Sequence, residues 1–507
     1  MSNSKRILLI YPLFLGTEEV QIPMNLLHLG TFLSNQGYEI KIIDCHVEDD
    51  YKALIESEIA NAFCIGISCM TAQVKHGREI AAYIKQELKV ETPIVFGGVH
   101  PTLYPKQTVV DPLVDYVIIS EGEIPFHNLL KALENKEYAK VRIFPGVASV
   151  DDNGQVYVNN PAYTFDYRDM PEFDYSLINP KAIQVLKEND SYFPLITSRG
   201  CPFKCAFCIN VVTRNTKWRN FTTTRIIAEI KHIMAMGFNK IWFLDDNFCT
   251  SKKRVSEFLD AIEENNIDLK FWASVRANYF NERLLSVDFL KRLKRLGFRR
   301  LAIGFESGSQ RTLDYLDKAI TVEEILQTGE YCSKAGIWLS SSFMVGVPTE
   351  SEEDMRKTLD VIGKLSIICK TFGISGPQMF RPYPGSKLYD KAIEAGYYEP
   401  KSFEEWGEAA EKITEEPDAY TLPWITNPAF VNLVHFYAYT IPISFVNLGR
   451  MFYRYCQMTR RGKIFFVAGV IALLSLSAIG KIRYKTGFYK LFFEKVIFKK
   501  YCPNQSL

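Results

Sequence analysis

The sequence predicts an α/β protein with a doubly wound parallel sheet, then a partial parallel barrel of six βα units, then a mainly helical region. Two observations predict this. From residue 5 to about residue 137, short β-branched segments alternate with segments of helical period, and the alternation returns near residue 191 for about two hundred residues. We therefore divide the chain into residues 1–140, a linker at 141–190, a barrel at 191–398 and a C-terminal region at 399–507.

Each element of the first sheet follows from its own pattern. The strand segments are rich in Ile and Val, and the helical segments repeat Leu, Ile or Phe every three or four residues. The predicted strands are residues 7–11, 39–43, 63–68, 92–96 and 116–119, and the predicted helices are 24–36, 51–61, 74–87 and 103–112. This is a Rossmann-like sheet, in which ligands bind beyond the carboxyl ends of the strands.

The linker has little helical period, and its Asp151-Asp152-Asn153-Gly154 segment predicts a small hairpin. The barrel rests on six further strands and the helices between them. The predicted strands are residues 193–197, 240–244, 270–275, 300–305, 338–345 and 372–380, and the helices are 224–236, 251–265, 282–296, 321–334 and 351–364. Function in such barrels gathers at the C-terminal ends of the strands.

Composition limits the partners and the compartment. The 60 Lys and Arg residues nearly balance the 58 Asp and Glu residues, so the net charge of +2 gives no field that would attract nucleic acid. The 11 cysteines are scattered and odd in number, and the polar N-terminus has no signal-peptide core. Both features predict a reduced, cytoplasmic compartment.

Three cysteines follow the first barrel strand at a C-x3-C-x2-C spacing, namely Cys201, Cys205 and Cys208. Three thiolates can hold three irons of a 4Fe–4S cluster. No fourth cysteine lies nearby, so one iron would stay open for an outside ligand. The alternatives are a zinc site, which needs a fourth protein ligand, and three incidental cysteines.

Small and polar residues follow the strands of the first sheet. Adjacent glycines let a backbone approach a large ligand closely, and hydroxyl groups can bind its polar tail, so these positions predict a nucleotide-like ligand. The residues at these strand ends are Tyr11, Ser68, Thr71, Gly97, Gly98, His100, Glu121, Gly122 and Glu123.

The cysteine motif and these strand ends together resemble the cobalamin-binding radical S-adenosylmethionine (SAM) enzymes over about residues 5–395. The resemblance implies three cofactors: a 4Fe–4S cluster on the three cysteines, SAM on the open iron, and cobalamin bound by the strand-end residues of the first sheet. It also implies that electron transfer, from a donor such as flavodoxin or ferredoxin, cleaves SAM to a 5'-deoxyadenosyl radical. A first sheet that has lost its ligand is the alternative.

The resemblance also assigns residues at the barrel strand ends to SAM. Phe207 would stack on adenine, and a loop after the second strand would bind the SAM amino group. Arg276 would pair with the SAM carboxylate, and Glu306 would bind the ribose or the methionine amine; a structural ion pair of these two is the alternative. The full predicted SAM set is Phe207, Asp245, Asp246, Asn247, Arg276, Glu306 and Gly346.

One histidine imitates a cobalt ligand. The segment Asp44-Cys45-His46-Val47-Glu48-Asp49 resembles the D-x-H-x-x-G motif of other cobalamin enzymes, but it lacks the glycine and follows the second strand instead of the first. We therefore expect cobalamin without a histidine ligand, and His46 as a loop residue.

The C-terminal region carries two segments without charged residues, 419–449 and 464–480, and a basic-aromatic tail at 484–501. Basic residues flank the second segment. This pattern predicts an interfacial or re-entrant segment that holds the protein peripherally on the inner face of a membrane. A buried pair of substrate-cap helices is the alternative.

The most specific prediction is methyl transfer to an unactivated carbon of a small, apolar substrate, such as a lipid, an isoprenoid or a porphyrin-like molecule. Two alternatives remain. The enzyme could use both cofactors to cyclise, oxidise or rearrange its substrate, or the chain could be a membrane-associated binding protein with a degenerate site, against which the intact cysteines argue.

Overall fold

The computed structural model describes residues 5–14, 20–161, 165–213, 217–415, 422–438, 475, 478–483 and 485–486. The chain divides into two compact units. The first contains residues 1–202, 210–244 and 398–417, and the second contains residues 203–209, 245–397 and 418–507.

The first unit is built on a seven-stranded sheet in the order β2-β1-β3-β4-β5-β6-β7. Its strands are β1 (Arg6–Tyr11), β2 (Glu39–Asp44), β3 (Ala62–Ser68), β4 (Ile94–Gly97), β5 (Tyr116–Ile118), β6 (Val147–Val150) and β7 (Val156–Val158). The first five are parallel, which confirms the predicted sheet. Ile7, Leu8, Leu9 and Ile10 are fully buried in the central β1, as expected for a strand covered on both faces.

The predicted helices of the first sheet are present with small shifts in their ends. The fourth is broken in two near Tyr104, and the third ends in a π-helical turn, Tyr83–Glu87. The helices of the first unit are Met24–Asn35, Tyr51–Ile59, Val74–Ala82, Val99–Leu103, Pro105–Val109, Glu123–Glu134, Tyr138–Val141, Pro180–Glu188, Asn210–Thr213, Thr223–Ala235 and Phe403–Glu415.

The hairpin predicted inside the linker is present but belongs to the first sheet. Asp151 makes its turn, because its carboxylate accepts hydrogen bonds from the amides of Asn153 and Gln155, both at 3.0 Å. Strand β6 then pairs antiparallel with β5, with Val147 opposite Ile118. The pattern of a short hairpin shows where the chain turns, but not which sheet edge it joins.

Four more short strands complete the first unit: β8 (Phe193–Leu195), β9 (Ser198–Arg199), β10 (Arg219–Asn220) and β11 (Lys240–Phe243). β8 and β11 are parallel, and β9 and β10 form a two-stranded antiparallel ladder. The helix Thr223–Ala235 starts at a Thr222 cap and buries Ile226, Ile230 and Ile233. Met234 is 37% exposed because it lies about 100° around the helix from Ile233.

The second unit contains four parallel strands in chain order: β12 (Lys270–Val275), β13 (Phe298–Glu306), β14 (Trp338–Val345) and β15 (Phe372–Met379). All six predicted barrel strands are therefore present in the chain. The helices of this unit are Lys252–Glu264, Val287–Arg295, Gln310–Tyr315, Val322–Ala335, Glu352–Ile368, Lys387–Glu394 and Pro428–Tyr437.

The first C-terminal helix, Phe403–Glu415, packs inside the first unit. Phe403 and Trp406 are buried there, and their rings lie 5.2 Å from Phe96 and 5.4 Å from His100, respectively. Lys75 pairs with Glu411 at 2.7 Å. This helix therefore covers the first sheet and is part of its core.

Residues 422–438 pack against the second unit. Asn427 caps the helix Pro428–Tyr437, and Phe430 and Val434 are fully buried in a cluster with Val345 of β14. This part of the uncharged 419–449 segment is a packed cap rather than an interfacial segment. Among the described residues, no helix is long and apolar enough to cross a membrane. Residues 439–449, most of 464–480 and most of 484–501 lie outside the described residues.

Candidate active site

A cavity of about 310 Å³ lies beyond the carboxyl ends of the strands of the first sheet. Seven of the nine residues predicted to bind cobalamin line it. They are Tyr11, Ser68, Gly97, Gly98, Glu121, Gly122 and Glu123. Asn25 also lines it and donates a 2.7 Å hydrogen bond to Ser68 Oγ. Sequence reasoning missed Asn25, because an asparagine in a helix carries no local signal of a ligand site.

The two adjacent glycines serve different purposes. Gly98 has a φ of +94°, and a Cβ there would lie 2.8 Å from the Cys69 carbonyl oxygen, so only glycine fits this turn. A Cβ on Gly97 would meet nothing closer than Ile118 at 3.8 Å. Gly97 therefore keeps the cavity open, and Gly98 shapes the backbone around it.

Thr71 and His100 are not among the lining residues. Thr71 Oγ1 lies 3.3 Å from His100 Nδ1, and the amide of His100 donates to the Cys69 carbonyl. Burial lowers the pKa of His100 to about 3, so the ring is neutral at physiological pH. These two predicted residues support the loop beside the cavity from behind.

His46 is held by its own loop. Its Nε2 accepts a 2.9 Å hydrogen bond from the Phe14 amide, and its Nδ1 lies 3.4 Å from the Asp44 carboxylate. Tyr11, which does line the cavity, has its ring 5.3 Å from the His46 ring. This arrangement agrees with a loop role for His46.

The cysteine loop begins with a constrained glycine. Gly200 has a φ of +85°, and a Cβ there would lie 2.1 Å from the Lys217 carbonyl oxygen, so the turn into Cys201 requires glycine. Cys205 is buried, and Cys201 and Cys208 are half-buried. Within the described residues, no three or more His, Cys, Asp or Glu side chains are grouped closely enough to hold a metal ion. The convergence of the three sulfurs on a cluster therefore stays a prediction, which the donor chemistry fits.

Within the second unit the cysteine loop is fixed by its backbone. The Ala206 amide donates to the Leu316 carbonyl at 2.8 Å, and the Ala206 carbonyl accepts from the Leu388 amide at 3.1 Å. Phe207 packs beside Leu316 and Phe380. Its ring therefore has a fixed place in the second unit, as a stacking residue would need.

Arg276 contacts the cysteine loop directly. Its guanidinium lies 3.6 Å from the centroid of the Phe203 ring, and its Nη1 lies 3.5 Å from Cys205 Sγ. Its Nη2 donates to the Lys318 carbonyl. The guanidinium therefore lies beside a sulfur that is predicted to bind iron. Only its Nε remains without a hydrogen-bond acceptor, so the predicted contact with the SAM carboxylate would use that edge.

Glu306 ends β13 in a left-handed conformation with a φ of +65°. Its carboxylate accepts from Lys318 Nζ at 2.8 Å, and a Cβ on Gly304 would lie 2.2 Å from that carboxylate oxygen. Glycine at position 304 thus allows Glu306 to fold back. Lys318 Nζ also lies 5.4 Å from the Phe207 ring centroid, so one lysine contacts two predicted SAM residues. An ion pair of Arg276 with Glu306, the alternative to SAM binding, is not present among the described residues. Instead the Lys318 carbonyl accepts from Arg276 and the Lys318 ammonium pairs with Glu306, and no sequence motif indicated Lys318.

The three polar residues of the loop after β11 have different surroundings. Asp245 is buried and pairs with Arg254 at 3.4 Å, and Asn247 donates to the Tyr279 hydroxyl at 2.8 Å. Asp246 is half-buried between them. Asp245 and Asn247 therefore shape the loop, and binding of the SAM amino group by Asp246 stays a prediction.

Gly346 follows β14 and is fixed by a glutamate. Glu350 accepts hydrogen bonds from the amides of Gly346 and Val347 at 2.7 and 3.3 Å, and burial raises the pKa of Glu350 to about 8. Trp424 donates to the Gly346 carbonyl at 2.8 Å. Both partners were missed by sequence reasoning.

Comparisons with known proteins agree with this arrangement. The model of the radical SAM superfamily matches residues 195–362, and that of the B12-binding domain matches residues 16–130. The chain is 30% identical to an uncharacterised methyltransferase of Pyrococcus horikoshii over 73% of this chain and 78% of the relative. It is 23% identical to the bacteriochlorophyllide d C-8(2)-methyltransferase of Chlorobaculum tepidum, over 76% and 79% of the two chains.

A solved structure shows the same fold. The cobalamin-dependent SAM radical enzyme OxsB, with aqua-cobalamin and SAM bound, superimposes with a TM-score of 0.70 at 19% identity over 98% of this chain and 75% of that chain. The protein thus belongs to the cobalamin-binding radical SAM enzymes, and its cofactors are a 4Fe–4S cluster, SAM and cobalamin.

Proposed function

We propose that this enzyme methylates an unactivated carbon of a small, largely apolar substrate. The observation that carries the proposal is the open, glycine-lined cavity of the first unit, in the same chain as the three-cysteine loop. When bound, the cluster and SAM supply a radical that removes a substrate hydrogen, and cobalamin supplies a methyl group. The residues of the chain bind and orient these groups.

In this proposal the first cavity holds cobalamin by shape. Gly97 leaves room for the corrin, and Ser68 and Asn25 present polar atoms to its tail. Cys201, Cys205 and Cys208 bind the cluster, and Arg276 offsets the negative charge of the Cys205 sulfur. Phe207 and Asp246 bind the two ends of SAM.

A second cavity, of about 230 Å³, supports the substrate class. Its wall is largely apolar, with Phe343, Met344, Met379 and Phe380 at the ends of β14 and β15. Glu306 and Arg381 also line it. Glu306 pairs with Lys318 at 2.8 Å, whereas Arg381 forms no salt bridge with a carboxylate of the described residues. A substrate with an apolar body and one anionic group, as in a carboxylated porphyrin or a prenyl phosphate, matches this wall.

The test is transfer of label from methyl-labelled SAM. Anaerobically reconstituted enzyme is incubated with reductant, cobalamin and a lipid and pigment extract from cells that lack the gene. The proposal expects label in one extracted compound that accumulates without the enzyme. A changed but unlabelled compound would instead support cyclisation, oxidation or rearrangement.

We also propose a peripheral membrane contact through the basic-aromatic tail and a small redox protein as electron donor. The support for the membrane contact is the sequence of the tail, where each cation is worth roughly 1 kcal/mol near an anionic surface. Flotation with vesicles containing phosphatidylserine tests it. Binding should weaken as salt rises, and the full chain staying unbound at low salt would refute it.

A further inference from the structure

A cluster of four charged side chains, two of them buried and two half-buried, lies at the edge of the first cavity. Arg199, two residues before Cys201, donates from Nη1 to Glu123 at 2.7 Å and lies 3.5 Å from Glu121. Its Nη2 lies 3.0 Å from His28 Nδ1. Arg199, Glu121 and Glu123 all line the cavity, so the side chain of Arg199 contacts the cavity wall while its backbone leads into the cysteine loop.

Arg219 completes the cluster from the neighbouring strand. It is directly opposite Arg199 in the β9–β10 ladder, and it grips Glu121 with two hydrogen bonds of 2.8 Å each. The Phe165 carbonyl accepts a further 2.6 Å hydrogen bond from Arg219. The ring of Tyr167 lies beneath both guanidinium groups, with centroid distances of 4.9 and 5.8 Å. Two carboxylates from one loop thus face two arginines from one ladder.

Such a cluster is poorly explained by stability alone. Removing charges from water costs desolvation free energy, and their mutual attraction offsets this cost only when the geometry is good. Replacing such a cluster by apolar residues often leaves the protein equally stable. The geometry of the cluster does, however, link the Glu121-Gly122-Glu123 loop to the start of the cysteine loop. Glu121 and Glu123 both contact Arg199, and Gly200, with a φ of +85°, makes the tight turn from Arg199 into Cys201.

We infer that Arg199 is a positioning residue that couples occupation of the first cavity to the placement of Cys201. The inference rests on the proposed location of cobalamin in that cavity. Filling the cavity holds the Glu121–Glu123 loop in place, and that loop holds Arg199 and the start of the cysteine loop. Because coupling is reciprocal, an assembled cluster tightens the binding of cobalamin by the same factor.

The test measures this factor. Hydroxocobalamin is titrated by visible absorbance into protein with and without the reconstituted cluster. In the wild type the cluster should tighten binding by at least about fivefold. In Arg199→Met the ratio should fall to about one, and Arg199→Lys, which keeps the charge, should retain part of it. A merely structural role would weaken both titrations equally and leave the ratio unchanged.

Arg168→Met is the matched control. Arg168 is an exposed arginine that pairs with Asp166 at 2.5 Å, so its loss should leave the ratio at the wild-type value. The inference is overturned if Arg199→Met shows the same ratio of cobalamin affinities, with and without the cluster, as the wild type. It is also overturned if that ratio is one in the wild type.

Hydrogen exchange on the wild type decides the matter if Arg199→Met does not fold. Hydroxocobalamin should slow exchange at residues 197–202, and unchanged exchange there overturns the inference. A different result would show that cobalamin does not bind in the first cavity: Gly97→Leu would then bind hydroxocobalamin as tightly as the wild type. The methyl-label experiment tests the reaction separately from both.

Discussion

The two cavities of this enzyme differ in how the charged side chains that line them are paired. In the first unit, the carboxylates of Glu121 and Glu123 pair with arginines, and the remaining wall consists of uncharged side chains and glycines. In the second unit, the cavity is lined by Glu306, which pairs with Lys318, and by Arg381, which forms no salt bridge with a carboxylate of the described residues. Under the proposed function, the first cavity would bind cobalamin by its open shape, and Arg381 in the second cavity would bind an anionic group of the substrate.

The largest expected effect comes from the cysteines. Cys201→Ala, Cys205→Ala or Cys208→Ala should each abolish reductive cleavage of SAM and lower the iron content well below about four per chain. Cobalamin should still bind to the first cavity. Iron analysis and 5'-deoxyadenosine quantification check this result.

Cys249→Ala is the control for the cysteine variants. Cys249 is fully buried, and burial raises the pKa of its thiol to about 12, so it should not bind iron and its loss should spare SAM cleavage. Full cleavage activity in any variant of the triad would remove the cluster from these three residues.

The glycine pair tests selection by shape. Gly97→Leu should weaken cobalamin binding by roughly 5- to 150-fold, the equivalent of about 1–3 kcal/mol of overpacking, with little change in thermal stability. Gly98→Ala should instead destabilise the fold by about 1–3 kcal/mol, because its φ of +94° strains any other residue. Absorbance titration and thermal unfolding separate the two effects. Equal behaviour of both variants would contradict the different roles.

Arg381 tests selection by charge. Arg381→Met should raise the apparent KM for the substrate roughly 10- to 150-fold, because a hydrogen bond to a charged group is worth about 1.5–3 kcal/mol. Cleavage of SAM without substrate should be unchanged, and Arg381→Lys should recover part of the affinity. Parallel assays of the variant and the wild type on one substrate extract measure the ratio of their apparent KM values. An unchanged KM in Arg381→Met would mean that the substrate offers no anionic group to this side chain.

The last prediction is a pH dependence from Glu350. Burial raises the pKa of Glu350 to about 8, so between its unfolded value of about 4.3 and pH 8 the folded protein binds a proton that the unfolded chain lacks. Stability should therefore fall as pH rises through this window and level off above it. Glu350→Gln should show a flatter profile of melting temperature against pH. An identical slope in the variant would assign the dependence to other groups.

Local pattern predicted the strands and the cavity residues well, because alternating parallel strands place their carboxyl ends on one edge. It could not predict partners far apart in sequence. Arg199 meets Glu123 across 76 positions, and Arg219 meets Glu121 across 98. An arginine in a short strand has no local signal that names its carboxylate.

The same limit explains the misplaced elements. The sequence pattern of the hairpin β6–β7 is the same wherever the hairpin packs. Its pairing with β5 depends on a free edge of the sheet, which a local sequence pattern does not indicate. The helix Phe403–Glu415 reads as amphipathic, but its burial against Phe96 and His100 depends on tertiary packing. Lys318 was missed because its two contacts come from a loop without periodicity.

The most direct test of the central claim counts products from SAM. The reconstituted enzyme, given cobalamin, reductant and the substrate extract, should form one 5'-deoxyadenosine and one S-adenosylhomocysteine for each methylated product, because one SAM supplies the radical and another supplies the methyl group. Mass spectrometry of all three compounds in one reaction gives the ratio. Product that forms with 5'-deoxyadenosine but without S-adenosylhomocysteine would contradict methyl transfer.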